Sequence, residues 1–201
     1  LAQKQGLVRE VHHRIKNHLQ GLLGLLEVHR HDAEGQPPHA LGTLHGHVLA
    51  LIGFHGLQAA SELEGIPLAG LVERQVALAT AGFRASKVTV EQSAVPVAAR
   101  LQGDQAVTVA LVLTELIVNA IKHGLGKAAH VALLQAPDGT PGVRVGNRVA
   151  GEPGFDLQTG EGLGTGLTLA RTMMLAVGEL QQERRGDDVI ITLWLAGPRE
   201  A

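Results

Sequence analysis

The sequence predicts two structural parts, an α-helical hairpin that dimerises into a four-helix bundle and a following α/β sandwich. Up to about residue 60, apolar residues recur at three- and four-residue steps, the spacing of amphipathic helices. Beyond 64–68, helical segments alternate with short strand-like runs. We therefore assign 1–66 to the hairpin and 67–201 to the sandwich.

The hairpin contains two long helices, predicted over about 3–31 and 39–60. The proline-containing segment 34–38 separates them. The apolar stripe of the first helix is formed by Leu7, Val11, Ile15, Leu19, Leu22, Leu23 and Leu26. The stripe of the second includes Leu41, Leu44, Val48, Leu51, Ile52 and Leu57. Because one partner helix covers such a stripe incompletely, we expect a homodimer in which two hairpins form the bundle.

The sandwich is predicted to contain three helices and five strands joined by turns and one long loop. The helices are expected at 68–82, 103–123 and 165–177. The strands are expected at 88–91, 129–136, 142–147, 179–184 and 188–195. The segment "PDGTP" at 137–141 predicts a hairpin turn, and the glycine-rich stretch 145–164 is long enough to favour a functional loop.

Composition narrows the range of partners. The 201 residues include 17 Lys and Arg against 19 Asp and Glu, which gives no strong field for nucleic acid or an anionic membrane surface. The apolar run 109–118 carries a charge and is too short to span a bilayer. The lack of cysteine fits a reducing cytosol. We expect a cytoplasmic fragment of a longer protein with no direct nucleic-acid or membrane contact.

Two adjacent histidines in the first helix face different surroundings. At about 100° per residue, His12 lies about 50° from the centre of the apolar stripe and His13 about 150° away. His13 is therefore expected on the outer face of the bundle, together with Glu10 and Asn17. This segment alone also fits an ordinary solvated helix face.

The predicted helix 103–123 carries a second polar group. Glu115 and Asn119 lie four residues apart on one face, and Lys122 follows one turn later. A carboxylate and an amide oxygen can hold Mg²⁺ directly or through water, and an ammonium nearby can contact phosphate oxygens. This trio is unsuited to core packing and favours a phosphate-containing ligand.

Three glycines precede the last predicted helix, namely Gly162, Gly164 and Gly166. Without side chains in the way, backbone amides can approach phosphate at the positive end of that helix. Such a glycine pattern is weak by itself. The prediction of a phosphate site becomes more specific because the same chain also carries the polar face of helix 103–123 and the long loop before the glycines.

Three stretches resemble the sequence boxes of sensor histidine kinases, in particular the HisKA_2 or HWE-like subgroup. They are "EVHHRIKNHLQGLLGLL" (10–26), similar to the histidine box, "ELIVNAIKHG" (115–124), similar to the asparagine box, and "GEGLGTGLTLART" (160–172), similar to the second glycine box. The resemblance covers nearly the whole chain. It implies a dimerisation and phosphotransfer hairpin followed by an ATP-binding domain of the Bergerat (GHKL) type, which is shared with gyrase and Hsp90.

The resemblance also implies a mechanism. His13 would accept the γ-phosphoryl group of ATP and pass it to an aspartate on the receiver domain of a response regulator. His13 and Glu115 are thus the implied catalytic residues, and Asn119 the implied Mg²⁺ ligand. The implied nucleotide contacts are Asn119, Lys122, His123, Asn147, Gly162, Gly164 and Gly166.

Positions in the histidine box and in the first glycine box complete the comparison. Asn17 matches a polar residue that positions water for dephosphorylation of the regulator, and Arg14 replaces an acid common in other kinases, so Glu10 is the candidate base. In the first glycine box, related kinases carry an Asp that accepts a hydrogen bond from the adenine amino group. Here Asn147 stands at that position, and Val149 replaces the first glycine. An amide oxygen still accepts such a bond, but less strongly than a carboxylate.

Two other functions remain open from the sequence. The first is a histidine phosphotransferase that keeps the dimer and His13 but has a degenerate catalytic domain that no longer binds ATP. The second is an ATP-hydrolysing conformational switch in which Glu115 activates water. The histidine box favours the kinase over this switch, and a direct ATP titration separates the kinase from the phosphotransferase.

Overall fold

The computed structural model describes residues 65–81, 83, 86–91 and 98–196. The predicted hairpin up to residue 64, its dimer and the surroundings of His13, Glu10 and Asn17 lie outside these residues, and nothing in the described part tests the proposed boundary after residue 66. They stay predictions. The described residues cover most of the predicted sandwich.

The described part contains three α-helices and seven strands. The helices are α1 (Leu68–Ala81), α2 (Gly103–His123) and α3 (Thr165–Met174). The strands are β1 (Ile66–Pro67), β2 (Lys87–Glu91), β3 (Arg100–Leu101), β4 (Ala128–Gln135), β5 (Pro141–Arg148), β6 (Gly178–Arg185) and β7 (Asp188–Leu195). The predicted mixed α/β class is confirmed, with each predicted helix and strand at its expected place.

Five strands form one sheet in the order β2-β4-β5-β7-β6. Strands β2 and β4 are parallel and the other neighbours antiparallel. Helix α2 lies in the connection from β2 to β4, as a parallel crossover requires. The remaining strands β1 and β3 form a separate two-stranded sheet, which the sequence analysis missed because each is only two residues long.

Helix α2 is the centre of the hydrophobic core. It packs against α1, α3, β4 and β5. Leu113, Ile117 and Ile121 are completely buried, as is Val131 of β4. Within the described residues, Gln105–His123 is long and apolar enough to cross a membrane by length and composition alone, yet 72% of its most apolar window is buried inside the domain. The apolar character of α2 is therefore accounted for by core packing.

Alternation along β5 decides which of its residues face the helices. A Cβ atom at Gly124, which follows α2, would lie 3.3 Å from Cβ of Asn147. Asn147 therefore points toward the helical layer, together with the buried Val143 and Val145 on the same face of the strand. This register brings the end of β5 next to the end of α2.

The loops differ from prediction in two places. A short 3₁₀ helix, Leu125–Lys127, follows α2 directly. Helix α3 ends at Met174, three residues earlier than expected, because the chain forms turns before β6. The predicted turn at 137–141 is confirmed: Asp138 Oδ1 accepts a hydrogen bond from the Thr140 amide at 2.9 Å, and Gly139 has φ of +90°.

Candidate functional site

The polar face of α2 emerges from the core toward the C-terminal end of the helix. Glu115 is only 8% exposed, Asn119 is half-buried, and Lys122 and His123 are exposed. Because Glu115, Asn119 and Lys122 are spaced by four and three residues, they lie along one side of α2. The face thus runs from a buried carboxylate to a surface ammonium.

Glu115 and Gly166 bring α2 and the start of α3 into direct contact. A Cβ atom built on Gly166 would overlap the Oε2 atom of Glu115. A side chain at position 166 would displace the Glu115 carboxylate, so glycine permits this approach. Both residues were predicted to belong to one site, and they lie side by side.

The first turn of α3 is open at its N-terminus. Gly164 is the N-cap residue and supplies no side-chain hydrogen bond, and the first helical bond runs from the Thr168 amide to the Gly164 carbonyl at 3.0 Å. Apart from the two chain neighbours of Gly164, no heavy atom of the described residues lies within 4 Å of the position of a Cβ on this glycine. Gly164 thus leaves an open cradle at a helix end that favours anions, although the Glu115 carboxylate lies against the same first turn at Gly166.

The long loop before α3 is held to the sheet by one glutamine. Gln182 of β6 accepts a hydrogen bond from the Leu157 amide at 2.9 Å, and its own amide donates to the Phe155 carbonyl at 3.3 Å. The loop end nearer β5 is also fixed, because Arg184 contacts Gly151 and forms an ion pair with Glu152. The loop is therefore anchored by side chains on one face of β6.

A compact turn at Asp156 orders the second half of the loop. Its Oδ1 accepts bonds from the amides of Gln158 at 2.6 Å and Thr159 at 2.9 Å. The hydrogen bond from Thr159, then that from Gln158, lowers the pKa of the Asp156 carboxyl below its ordinary value. Arg171 of α3 donates to the Gln158 carbonyl at 3.1 Å and thereby joins the turn to the helix.

Gly162 allows the loop to close on itself before α3. It has φ of +66°, and a Cβ atom there would overlap the carbonyl oxygen of Gly154. Both the backbone conformation and the close approach require glycine. Gly162 is therefore explained by loop closure, whereas Gly164 and Gly166 form the start of α3.

Asn147, at the first glycine box, lies at the other end of the site. It is 8% exposed, and no hydrogen bond to its side chain occurs within the described residues. Val149, which stands where related kinases carry a glycine, is half-buried. Its amide donates a hydrogen bond to the Asp187 carbonyl at 2.9 Å, so the chain after β5 still runs beside the start of β7.

The chemical types of these residues suit the binding of a nucleotide and its metal ion. The open cradle at Gly164 and the exposed Lys122 suit phosphate, and the amide of Asn147, which has no hydrogen-bond partner among the described residues, suits a base. Across the described ranges no group of three or more His, Cys, Asp or Glu is arranged to hold a metal. A Mg²⁺ ion would thus depend on the Asn119 amide oxygen together with ligand and water oxygens.

Sequence reasoning missed the residues that hold the site in place. Gln182 and Arg171 anchor the loop, and Gly124 makes room for Asn147. Thr114 donates to the completely buried Gln75 at 3.1 Å, which joins α2 to α1 one residue before Glu115. The one available signal was Gly124 directly after the apolar helix, where glycine commonly ends a helix.

Comparison with solved structures defines the class of the fold. The histidine kinase domain of the Erythrobacter litoralis EL346 blue-light activated histidine kinase matches with a TM-score of 0.65 at 21% identity, covering 93% of this chain and 91% of that chain. The catalytic domain of histidine kinase ThkA matches with a TM-score of 0.51 at 16% identity, covering 65% and 93%. The fold is that of a histidine kinase catalytic domain.

Sequence comparison then identifies the relatives. A family model described as histidine kinase matches residues 10–77. Sensor histidine kinase PdtaS of Mycobacterium tuberculosis is 26% identical over 211 residues, covering 95% of this chain. The chain spans 40% of the length of that relative. The resemblance to sensor histidine kinases drawn from the sequence boxes is thereby confirmed, through the family-model match and the similarity to PdtaS.

Proposed function

We propose that the chain is the cytoplasmic kinase core of a two-component sensor histidine kinase. In this proposal a homodimer autophosphorylates His13 with ATP and Mg²⁺ and passes the phosphoryl group to an aspartate of a response regulator. The observation that carries it is the contact between Glu115 of α2 and Gly166 of α3, because this contact joins the two segments expected to hold the nucleotide. The family match over residues 10–77, which includes His13, supports the phosphoryl acceptor.

Bound ATP supplies the γ-phosphoryl group, and Mg²⁺ neutralises charge on the phosphates. The amide oxygen of Asn119 would hold the metal, and Lys122 and the N-terminus of α3 would bind phosphate oxygens. Glu115 is 92% buried beside that helix end, where it fixes the spacing of the two helices. Asn147 would contact the base at the other end.

His13 is the nucleophile of the proposed reaction. The lone pair of a neutral imidazole nitrogen forms the P–N bond while the bond from the γ-phosphorus to the bridging oxygen breaks, and ADP leaves with that electron pair. The other ring nitrogen gives up its proton to a base, for which Glu10 on the same helix face is the candidate. The product is a phosphohistidine.

Incubation of the protein with γ-labelled ATP and Mg²⁺ tests this proposal. We expect label on the protein that is lost in acid and retained in alkali, as a P–N bond requires. Label that survives acid would indicate a different acceptor. No label at all, with intact protein, would contradict autophosphorylation.

A second candidate is a phosphotransferase whose catalytic domain does not bind ATP. Asn147 and Val149 favour it, because they replace the expected Asp and Gly, and the Val149 amide is engaged by Asp187. Calorimetric titration with ATP separates the two functions. Measurable binding supports the kinase, and its absence, together with His13 phosphorylation by a phosphorylated regulator, supports the phosphotransferase.

A further inference from the structure

Asn147 carries a buried amide for which the described residues provide no hydrogen-bond partner. The residue is 92% buried on β5, and within the described residues its side chain forms no hydrogen bond. Its amide atoms still contact solvent, unlike the sealed and unpartnered Nε of Arg144. Since buried amides are nearly always hydrogen-bonded, this arrangement indicates a group that a ligand completes.

The position of Asn147 is fixed more firmly than the direction of its amide. Its backbone pairs with Val189 in the ladder between β5 and β7. Its Cβ lies directly beside Gly124, where a larger residue would crowd it. Rotation of the terminal amide remains, and a half turn exchanges its oxygen and nitrogen with little change in shape.

An amide and a carboxylate differ in the hydrogen bonds that they can form with the group at position 6 of a purine. A carboxylate only accepts hydrogen bonds, so it pairs with the 6-amino group of adenine and repels the 6-carbonyl of guanine or hypoxanthine. An amide accepts from the amino group through Oδ1 or donates to the carbonyl through Nδ2. Asn147 can therefore satisfy either kind of base by rotating.

We propose that Asn147 makes the nucleotide site permissive for the purine base, so that it takes 6-carbonyl nucleoside triphosphates about as well as ATP. This inference rests on the proposed function, because it assigns Asn147 to the base. It goes further by naming the substrate class, purine nucleoside triphosphates with either an amino or a carbonyl group at position 6.

Calorimetric binding of ATP and inosine triphosphate in the presence of Mg²⁺ tests the inference. Inosine triphosphate differs from ATP at position 6 and in protonation of the adjacent ring nitrogen, so it isolates the proposed contact. The wild-type dissociation constants should agree within about threefold, because both bases form neutral hydrogen bonds to the amide. Cytidine triphosphate, which lacks the purine shape, reports binding through the triphosphate alone.

The Asn147→Asp variant supplies the matched comparison. We expect ATP to bind several-fold more tightly and inosine triphosphate more weakly, so that the ratio of dissociation constants widens by about tenfold or more. Thermal unfolding of the variant verifies that it is folded. If it is not, the wild-type ratio alone decides.

The outcomes distinguish this inference from the proposed function. A wild-type preference for ATP above about tenfold, or an unchanged ratio in a folded Asn147→Asp variant, overturns the inference while the proposed function stands. Equal binding of cytidine triphosphate also overturns it, because the base is then not read. Failure of both wild type and variant to bind any of the nucleotides overturns both the inference and the kinase.

Discussion

Gly166 is the residue at which the two helices of the site meet most closely. Gly166→Ala would place a methyl group on the Glu115 carboxylate, so we expect destabilisation of about 1–3 kcal/mol from overpacking. Gly164→Ala is the matched control for stability, because its methyl group meets no atom of the described part within 4 Å apart from its chain neighbours. Thermal unfolding of the two variants measures the difference.

Nucleotide binding separates these variants in a second way. Gly164→Ala should leave the unfolding temperature near that of the wild type but weaken ATP binding, since its methyl group enters the open cradle at the start of α3. Equal stability of both variants would contradict the contact between Glu115 and Gly166. Unweakened ATP binding in Gly164→Ala would remove the start of α3 from the phosphate site.

Asn119 tests the assignment of the metal. Asn119→Asp adds a carboxylate on the same helix face as Glu115 and next to the expected phosphates, which changes charge and hydrogen bonding around Mg²⁺. We expect loss of autophosphorylation with little change in unfolding temperature, because Asn119 is half-buried rather than part of the core. Unchanged turnover in this variant would place the metal elsewhere.

Single residues were predictable where their chemistry conflicts with their surroundings. Glu115 stood out because a carboxylate interrupts an apolar helix face, and it is buried beside Gly166. Gln182 gave no such signal. It lies in a strongly polar strand, and its partner Leu157 is 25 positions earlier in the chain, so only the folded loop shows the contact.

At the scale of elements, the glycine-rich loop depends on its anchor to β6. Gln182→Ala removes both hydrogen bonds to the backbone at Phe155 and Leu157. We expect faster hydrogen exchange at the Leu157 amide and several-fold weaker ATP binding, because the loop leads directly into α3.

Gln181→Ala is the matched control for this anchor. Gln181 is the neighbouring residue on the opposite face of β6, where it bonds to Glu179 and Trp194 and does not contact the loop. Exchange at Leu157 and ATP affinity should stay near wild-type values in this variant. Equal effects of the two substitutions would show that general weakening of β6, and not the loop contact, is responsible.

The Asp156 turn should make the stability of the same loop depend on pH in the acid range. Hydrogen bonds from the Thr159 and Gln158 amides lower the pKa of Asp156 from 3.8, so their stabilisation is fully present above pH 3.8 and is lost as pH falls through the lower folded value. An NMR titration of the Asp156 carboxyl carbon should have its midpoint below 3.8. A midpoint at or above the ordinary value would contradict the turn.

Helices and strands were predictable from the sequence where a long pattern of apolar residues defines them. Helix α2 was predicted at 103–123 and is observed at Gly103–His123, because apolar residues mark its buried face over nearly six turns. The end of α3 was placed three residues too late, since the apolar Leu175 continues the helical pattern although it is 75% exposed. The pairing of β1 with β3 depends on distant contacts that no local pattern records.

At the scale of the whole molecule, different observations support the assignment of the described domain and the assignment of the histidine box. The fold matches that of histidine kinase catalytic domains, one of which covers 65% of the chain, and the family model covers residues 10–77. The proposed reaction requires both, because the nucleotide site and its acceptor His13 belong to different parts. Dimerisation of the hairpin stays a prediction, for which the molar mass in solution is the test.

The most direct measurement is autophosphorylation of wild type, His13→Gln and His12→Gln with γ-labelled ATP and Mg²⁺. We predict acid-labile label in the wild type, none in His13→Gln, and retained label in His12→Gln, while ATP binding by His13→Gln stays within a few-fold of wild type because His13 is the acceptor and not part of the nucleotide pocket. Label that persists in His13→Gln and disappears in His12→Gln would contradict the account.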